Sequence, residues 1–161
     1  AHKQEKTHTW HGMFLPDGSR TPAIDTMTFL WIGRWPTNRC PALGPDKLRV
    51  TRPDGGAPEK PGVYPPGEKL TASVDVTDPE DDPLRITWEL RPDVADNPGV
   101  GGDWGPGVEP LPGVVTSSRD EGRRAEVQLP GKPGKYRLFV YVHDDHGNAT
   151  TANMALLTVG P

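Results

Sequence analysis

Acidic side chains in the turns of the second half of the chain are the residues best suited to chemistry. They are Asp75, Asp78, Glu80, Asp81, Asp82, Asp144 and Asp145. Hard oxygen ligands of this kind suit Ca²⁺, which accepts about six to eight of them in a flexible geometry. The same residues are ordinary turn formers, and without an EF-hand spacing the sequence favours the turn interpretation. If Ca²⁺ binds, the predicted ligands are Asp78, Asp82 and Asp144, and no other cofactor is predicted.

The remaining candidates for catalysis do not form a recognisable site. His8 and His11 lie in a segment that favours strand or loop, and His143 and His146 flank a turn, so zinc ligation is not favoured for any of them. The chain contains no nucleophile elbow, no phosphate-binding loop and no dinucleotide-binding glycine motif. Carboxylates are available for glycoside hydrolysis, but the second half of the chain is predicted below to form a small β-sandwich. Such a fold offers no deep cleft to hold two carboxylates across a sugar. The sequence therefore predicts no catalytic residue.

Trp104 is the aromatic side chain that most invites a binding hypothesis. It lies in a long glycine-rich loop between residues 92 and 112. An exposed ring could stack on a sugar, or it could cover apolar surface at the edge of a sheet. The sequence favours the second role and leaves sugar binding as the alternative.

Composition and charge exclude some classes of partner. The net charge of -4 and the pI of about 5.7 provide no basic stripe for phosphates, so no nucleic-acid partner is predicted. No apolar run reaches the length of a membrane span. The single cysteine, Cys40, cannot form an internal disulfide, so packing alone must hold the fold. The first six residues do not resemble a signal peptide, and we expect the chain to be the C-terminal end of a longer protein, with any export signal upstream.

Apolar residues alternate with period two from residue 47 onward, which indicates strands that bury one face. A hydrophobic content of 33% fits the thin core of such a fold. Trp88 is predicted to fill the space between two sheets, and Tyr136 occupies a tyrosine-corner position. The pattern predicts a mainly β fold, an Ig-like antiparallel β-sandwich. Its predicted strands lie near residues 47–52, 69–77, 84–90, 125–129, 136–142 and 154–159.

A strand-turn-helix segment precedes the sandwich. Thr21 and Pro22 favour a helix start, and Gly33 favours its end. Apolar side chains on one face of this three-turn helix require a partner surface, because so short a helix is unstable alone. A proline-rich segment follows. The predicted domains are residues 1–36 for the first unit, 37–46 for a linker and 47–161 for the sandwich.

Several motifs of the sandwich resemble the PKD or cadherin-like Ig modules of extracellular bacterial proteins. They are DPEDDPL at 78–84, a tryptophan at 88, PGKY at 133–136 and VHDDHGNA at 142–149. The chain departs from the usual pattern at residues 80–81, where Glu-Asp replaces Asp-Gly. The resemblance covers the whole predicted sandwich.

The first 36 residues resemble the last β/α unit of the (β/α)8 barrel in multidomain bacterial glycoside hydrolases. The stretches that carry this resemblance are KQEKTHTWHGMF at 3–14, DG at 17–18, AID at 23–25, LW at 30–31 and GRWP at 33–36. The resemblance implies that the helix is the final helix of the barrel and that the catalytic carboxylates, which follow the fourth and seventh strands, lie outside this chain. It also implies that Lys3, Gln4, Glu5 and Trp10 could touch a sugar in the intact enzyme.

These resemblances together imply a non-catalytic accessory module of a secreted glycoside hydrolase that acts on polysaccharide. The module would serve as a spacer, a stabiliser or a weak glycan contact, and carbohydrate would be bound through the parent catalytic domain. Two alternatives are a cell-surface adhesion or interaction module stiffened by Ca²⁺ and a carbohydrate-binding module. All of them place the protein outside the cell or on its surface. The sequence predicts no oligomeric state.

Overall fold

The structure, a computed structural model, describes residues 13–55, 62–93, 108–153 and 157–160. Within these ranges the chain forms one helix followed by nine strands. The elements are α1 (Pro22–Ile32), β1 (Ala42–Thr51), β2 (Val63–Tyr64), β3 (Lys69–Thr77), β4 (Arg85–Pro92), β5 (Val115–Arg119), β6 (Arg124–Gln128), β7 (Gly134–His143), β8 (Ala149–Asn153) and β9 (Leu157–Val159).

Two sheets share one hydrophobic core. One sheet has the strand order β1-β3-β6-β5, and the other has the order β2-β9-β7-β4 with β8 paired to β7. Every strand pair in these sheets is antiparallel except β2 with β9. Core residues come from both sheets, among them Leu70 and Val127 from the first and Leu90, Val140 and Leu157 from the second. The described chain is therefore mainly β, and its antiparallel sheets are consistent with the predicted β-sandwich.

The strand β3 shows how the period-two pattern produces this core. Leu70, Ala72, Val74 and Val76 are buried, whereas the residues between them are exposed or half-buried. Successive side chains of a strand point to opposite faces, so the alternation places one apolar face on the other sheet. The structure confirms the predicted bounds of this strand. It also contains β2, β5 and β8, which the sequence did not predict.

Two aromatic side chains occupy the structural positions predicted for them. Trp88 is 9% exposed within the core, and its indole N–H donates to the Gly122 carbonyl oxygen at 2.7 Å. Tyr136 is buried, and its hydroxyl donates to the Lys132 carbonyl oxygen at 2.8 Å. Gly122 has φ of +87°, and a Cβ there would lie 2.9 Å from that of Ile86, so the turn that receives Trp88 requires glycine.

The strand β1 corrects the predicted linker. Residues 37–46 were expected to form an extended connection, but β1 begins at Ala42 and Cys40 is already buried. The register of β1 with β3 shifts between Leu43 and Leu48, which is where Pro45 lies. Because β1 is an edge strand, a proline at such an irregularity costs no central ladder hydrogen bond. The prolines therefore did not exclude a strand here.

The strand β7 is buried on both faces. Val140 and Val142 face the shared core, while Phe139 and Tyr141 belong to a second apolar cluster that includes Leu15. The N-terminal segment, residues 13–39, thus places Leu15 on the outer face of the second sheet. This packing joins the segment before β1 to the sandwich rather than leaving it separate.

The helix α1 has the predicted bounds. Pro22 occupies its first turn, and Gly33 ends it in a left-handed conformation with φ of +71°. The Gly33 N–H donates to the Phe29 carbonyl oxygen at 2.8 Å. Its single buried side chain is Asp25, whose Oδ2 accepts the Cys40 N–H at 2.6 Å. A polar contact therefore fixes the helix to the start of the sandwich. This helix is too short to cross a membrane, and the described residues contain no other.

The apolar side chains near the end of α1 stay in solvent. Leu30, Trp31 and Ile32 are 72%, 76% and 59% exposed, and Phe29 stacks on Trp35 with ring centroids 4.7 Å apart. The sequence predicted that this face needs a partner. The described part of the chain does not cover it, so that prediction stays open.

Candidate cation site

Three carboxylates meet at one end of the sandwich. One oxygen each from Asp78, Asp82 and Asp144 lies within 4.8 Å of the other two. Asp78 follows β3, Asp82 precedes β4, and Asp144 follows β7. The antiparallel pairing of Arg85 with His143 brings the start of β4 beside the end of β7, so the two turns become neighbours. These three residues are the ones that the sequence predicted as Ca²⁺ ligands.

Asp78 bonds its own turn through one of its two carboxylate oxygens. It is 9% exposed, and its Oδ1 accepts the backbone N–H groups of Glu80 at 2.9 Å and of Asp82 at 3.1 Å. Its Oδ2 is buried and has no hydrogen-bond partner. Buried polar atoms normally find a partner, so this oxygen calls for an explanation. A ligand in the cluster would supply one.

Asp144 organises the turn between β7 and β8. It is 6% exposed, and its Oδ1 accepts the backbone N–H groups of His146 at 2.8 Å and of Asn148 at 2.9 Å. Its Oδ2 accepts the side-chain N–H of Asn148 at 2.7 Å. Each carboxylate oxygen has two lone pairs, so these bonds still leave acceptor capacity for a cation.

Asp82 is the half-buried member of the cluster. Its Oδ2 accepts the Asn38 side-chain N–H at 2.5 Å, and its Oδ1 lies 3.5 Å from Nε2 of His146. Asn38 belongs to the segment before β1. The cluster therefore touches both the sandwich turns and the N-terminal segment.

Asn148 is the centre of the polar network beside the carboxylates. Its side chain is fully buried, and its Nδ2 donates to Asp144 and, at 2.5 Å, to Oδ1 of Asn38. Its Oδ1 accepts a hydrogen bond from the Arg20 guanidinium. The Arg20 backbone pairs with the same turn, because its N–H donates to Gly147 and its carbonyl oxygen accepts from Ala149. Arg20 and Asn38 thus hold the N-terminal segment to this end of the sandwich.

A second polar contact joins the N-terminal segment to the same end of the sandwich, at the junction that Arg20 and Asn38 form. The His143 ring nitrogen Nε2 lies 2.9 Å from Oδ2 of Asp17, and the His143 side chain is largely buried. Burial alone would raise the pKa of Asp17, but hydrogen bonds from Ser19 and from His143 outweigh it and lower the pKa overall. A lowered carboxyl pKa contributes stability that is present above the ordinary value of 3.8 and is lost as the pH falls through the folded-state pKa. The stability that the Asp17 carboxylate contributes is therefore lost in acid.

The electrostatics of the cluster favour a cation. Like charges about 5 Å apart repel by roughly 3 kcal/mol per pair at an effective dielectric constant of about 20. Within the described ranges no lysine or arginine forms an ion pair with the three carboxylates, and Nε2 of His146 lies 3.5 Å from Oδ1 of Asp82. Oxygen ligands in flexible turns match the preference of Ca²⁺, whereas Zn²⁺ prefers nitrogen and sulfur. The arrangement can thus bind a hard divalent cation.

Cys40 reports on the same junction. It is 4% exposed, its thiol lies 3.4 Å from the Arg20 carbonyl oxygen, and its N–H binds Asp25. Burial, with the nearby Asp25 carboxylate, raises the pKa of the Cys40 thiol from 9.0 to about 12. The thiolate is the reactive form, so the folded protein suppresses its chemistry.

We expect Cys40 to react with a disulfide reagent at about pH 8 more slowly in the folded protein than in urea, by a factor on the order of 100–1,000. Because the folded-state pKa of the thiol is raised, the stability that the buried, protonated thiol contributes is fully present below about pH 9. It falls as the pH rises toward about 12. Ellman's reagent measures the rate. Equal rates in the folded and unfolded chain would show that the thiol is not protected.

The other predicted site residues lie outside the described residues. They are Lys3, Gln4, Glu5, Trp10 and Trp104. Sequence reasoning missed Asn38 and Asn148, which complete the polar network around the cluster. The signal for Asn148 was its place in the VHDDHGNA motif at 142–149, where the sequence analysis assigned it no role. Asn38 carried no comparable signal.

No protein-family model matches the chain, and the search of curated proteins finds no match. The fold and the site define a mainly β module with three convergent carboxylates at its junction with an N-terminal helical segment.

Proposed function

We propose that the chain is a non-catalytic accessory module with an Ig-like sandwich at the C-terminal end of a secreted glycoside hydrolase. In this proposal α1 is the final helix of the preceding catalytic barrel, and the sandwich supports that barrel from outside. The observation that carries the proposal is the exposed apolar end of α1 on a segment that is itself bound to the sandwich. Such a patch on a well-anchored helix is typical of an interaction surface.

The anchoring of α1 matters to this proposal. Asp25, Arg20 and Leu15 bind the N-terminal segment to the sandwich through the Cys40 backbone, the Asn148 side chain and the Phe139 cluster. A domain packed against Leu30 and Trp31 would therefore be coupled to the sandwich through one continuous set of contacts. This coupling suits a spacer or stabiliser better than a flexible tether.

The carboxylate cluster does not suit glycoside hydrolysis. Hydrolysis needs one carboxyl group to protonate the leaving oxygen and a second to act across an accessible sugar. Asp78 and Asp144 are 9% and 6% exposed, and each already accepts backbone hydrogen bonds within its own turn. A sugar could not lie between them. The proposal therefore assigns the chemistry to a domain outside this chain.

A turnover assay tests the non-catalytic role. We expect the purified chain to release no nitrophenol from a panel of aryl glycosides above the rate in buffer, with a commercial glycosidase as the positive control. Turnover that copurifies with the chain and disappears in the Asp82→Asn variant would overturn the proposal, because it would place a working carboxylate inside this module.

The second candidate is an adhesion or interaction module stiffened by Ca²⁺. The observation that favours it is the convergence of Asp78, Asp82 and Asp144. This function predicts similar sandwiches in tandem in the same polypeptide, joined by contacts that tighten when Ca²⁺ is added. A catalytic barrel beside the module, without such repeats, would favour the accessory role.

A further inference from the structure

We infer that Asp78, Asp82 and Asp144 bind one Ca²⁺-class divalent cation, and that the bound ion holds the N-terminal segment, residues 13–39, on the sandwich. This inference goes beyond the proposed function, because it holds whichever domain precedes the module. It rests on the geometry of the three oxygens, on one buried oxygen without a partner and on the hydrogen bonds that join the cluster to Asn38.

The spacing of the oxygens fits a shared ion. Two oxygens that coordinate the same Ca²⁺ at roughly 2.4 Å can lie at most about 4.8 Å apart. The three carboxylates provide one oxygen each within 4.8 Å of one another. Small rotations of turn side chains are enough to complete such a set, since Ca²⁺ tolerates irregular geometry. Water can supply the remaining ligands.

The unpartnered oxygen of Asp78 points independently to a ligand. The residue is 9% exposed, and its Oδ2 is buried with no hydrogen-bond partner, while Oδ1 already accepts two backbone N–H groups. An ionised oxygen buried without a partner is costly, and a bound ion is one of the partners that satisfy such an atom. A cation held with Asp82 and Asp144 satisfies it.

The same turns hold the N-terminal segment. Asp82 accepts the Asn38 side-chain N–H, and Asn148, which is bound to Asp144, donates to Oδ1 of Asn38. The Arg39 N–H donates to Oε2 of Glu80 at 2.9 Å, and the Arg39 guanidinium pairs with Oε1 of the same carboxylate. An ion that fixes Asp82 and Asp144 therefore also fixes the groups that bond Asn38. Its third ligand, Asp78, bonds the N–H of Glu80, the residue that holds Arg39.

The first experiment measures binding. The chain is stripped with EDTA, and its melting temperature is recorded without and with CaCl₂ at about 100 times the dissociation constant found by titration calorimetry. We expect one site per chain and a rise of about 5–10 °C. MgCl₂ is expected to give a smaller rise, because Mg²⁺ demands shorter distances and near-octahedral geometry. A wild-type chain that neither binds Ca²⁺ nor shifts would overturn the inference.

Neighbouring carboxylates provide matched controls. Asp82→Asn and Asp144→Asn each remove one charge from the cluster, and both are expected to lose most of the shift. Asp81→Asn and Asp145→Asn remove the same charge from exposed side chains one residue away and are expected to retain it. If Asp144→Asn fails to fold because its turn bonds are lost, Asp82→Asn still decides the question. Equal shifts in Asp82→Asn and Asp81→Asn would contradict the assignment.

The second experiment measures how firmly the N-terminal segment is held on the sandwich. The rate at which Ellman's reagent labels Cys40 reports how often the junction opens, because the thiol lies between Arg20 and the start of β1. If the ion binds only the closed junction, saturating CaCl₂ slows labelling by up to about 100-fold. The slowing should be absent in Asp82→Asn. Calcium binding that leaves the labelling rate of the wild type unchanged would contradict the inference that the ion holds the N-terminal segment on the sandwich.

Discussion

Trp88→Ala is expected to lower the free energy of unfolding by about 3–5 kcal/mol, the usual cost of removing a buried aromatic side chain. The ring lies in the core shared by both sheets, and its N–H satisfies the Gly122 carbonyl oxygen. The substitution therefore creates a cavity and also leaves a buried acceptor unpaired. Urea denaturation followed by circular dichroism measures the change.

Two variants control this experiment. Trp31→Ala removes the same side chain from a site that is 76% exposed, and it should change stability by no more than about 0.5 kcal/mol. Trp88→Phe keeps most of the ring but loses the hydrogen bond, so an intermediate loss is expected. A loss for Trp88→Ala as small as that for Trp31→Ala would show that Trp88 does not fill the space between the sheets.

Asn148→Ala is expected to cost about 2–4 kcal/mol and to loosen the N-terminal segment. The fully buried amide bonds Arg20, Asn38 and Asp144, so its removal leaves several polar groups without a partner at once. Denaturation gives the stability, and the labelling rate of Cys40 gives the loosening. We expect this rate to rise at urea concentrations at which the sandwich itself stays folded.

Gln128→Ala is the matched control, because it removes an exposed amide whose one hydrogen bond, to the Gly67 carbonyl oxygen, is long at 3.4 Å. Its effect should stay within about 0.5 kcal/mol. If Asn148→Ala destabilises the chain without raising the Cys40 rate, the amide supports the turn but does not hold the segment.

Local patterns in the sequence were sufficient to predict several features of the fold and of the cluster. The helix bounds followed from Pro22 and Gly33, whose backbone preferences depend little on tertiary contacts. The alternation in β3 and the position of Trp88 predicted the core, because a strand pattern fixes which face is buried. The three carboxylates were predicted because they follow or precede strands that a sandwich brings to one end.

The docking of the N-terminal segment could not be predicted in the same way. It depends on contacts such as those between Arg20 and Asn148, which are distant in the sequence. One signal was present, since the continuous apolar run at residues 139–142 indicates a strand buried on both faces. The sequence analysis interpreted that run as a single core face. The strand at residues 42–46 of the predicted linker could not be predicted either, because Pro45 is tolerated where the edge strand β1 is irregular.

The coding sequence immediately upstream of the Ala1 codon tests the accessory role most directly. The proposed function predicts further β/α units there, which complete a barrel with α1 and carry two carboxylates after its fourth and seventh strands. Leu30 and Trp31 would then face that barrel rather than solvent. An upstream array of similar sandwiches, with no barrel, would contradict the accessory role and favour the adhesion module.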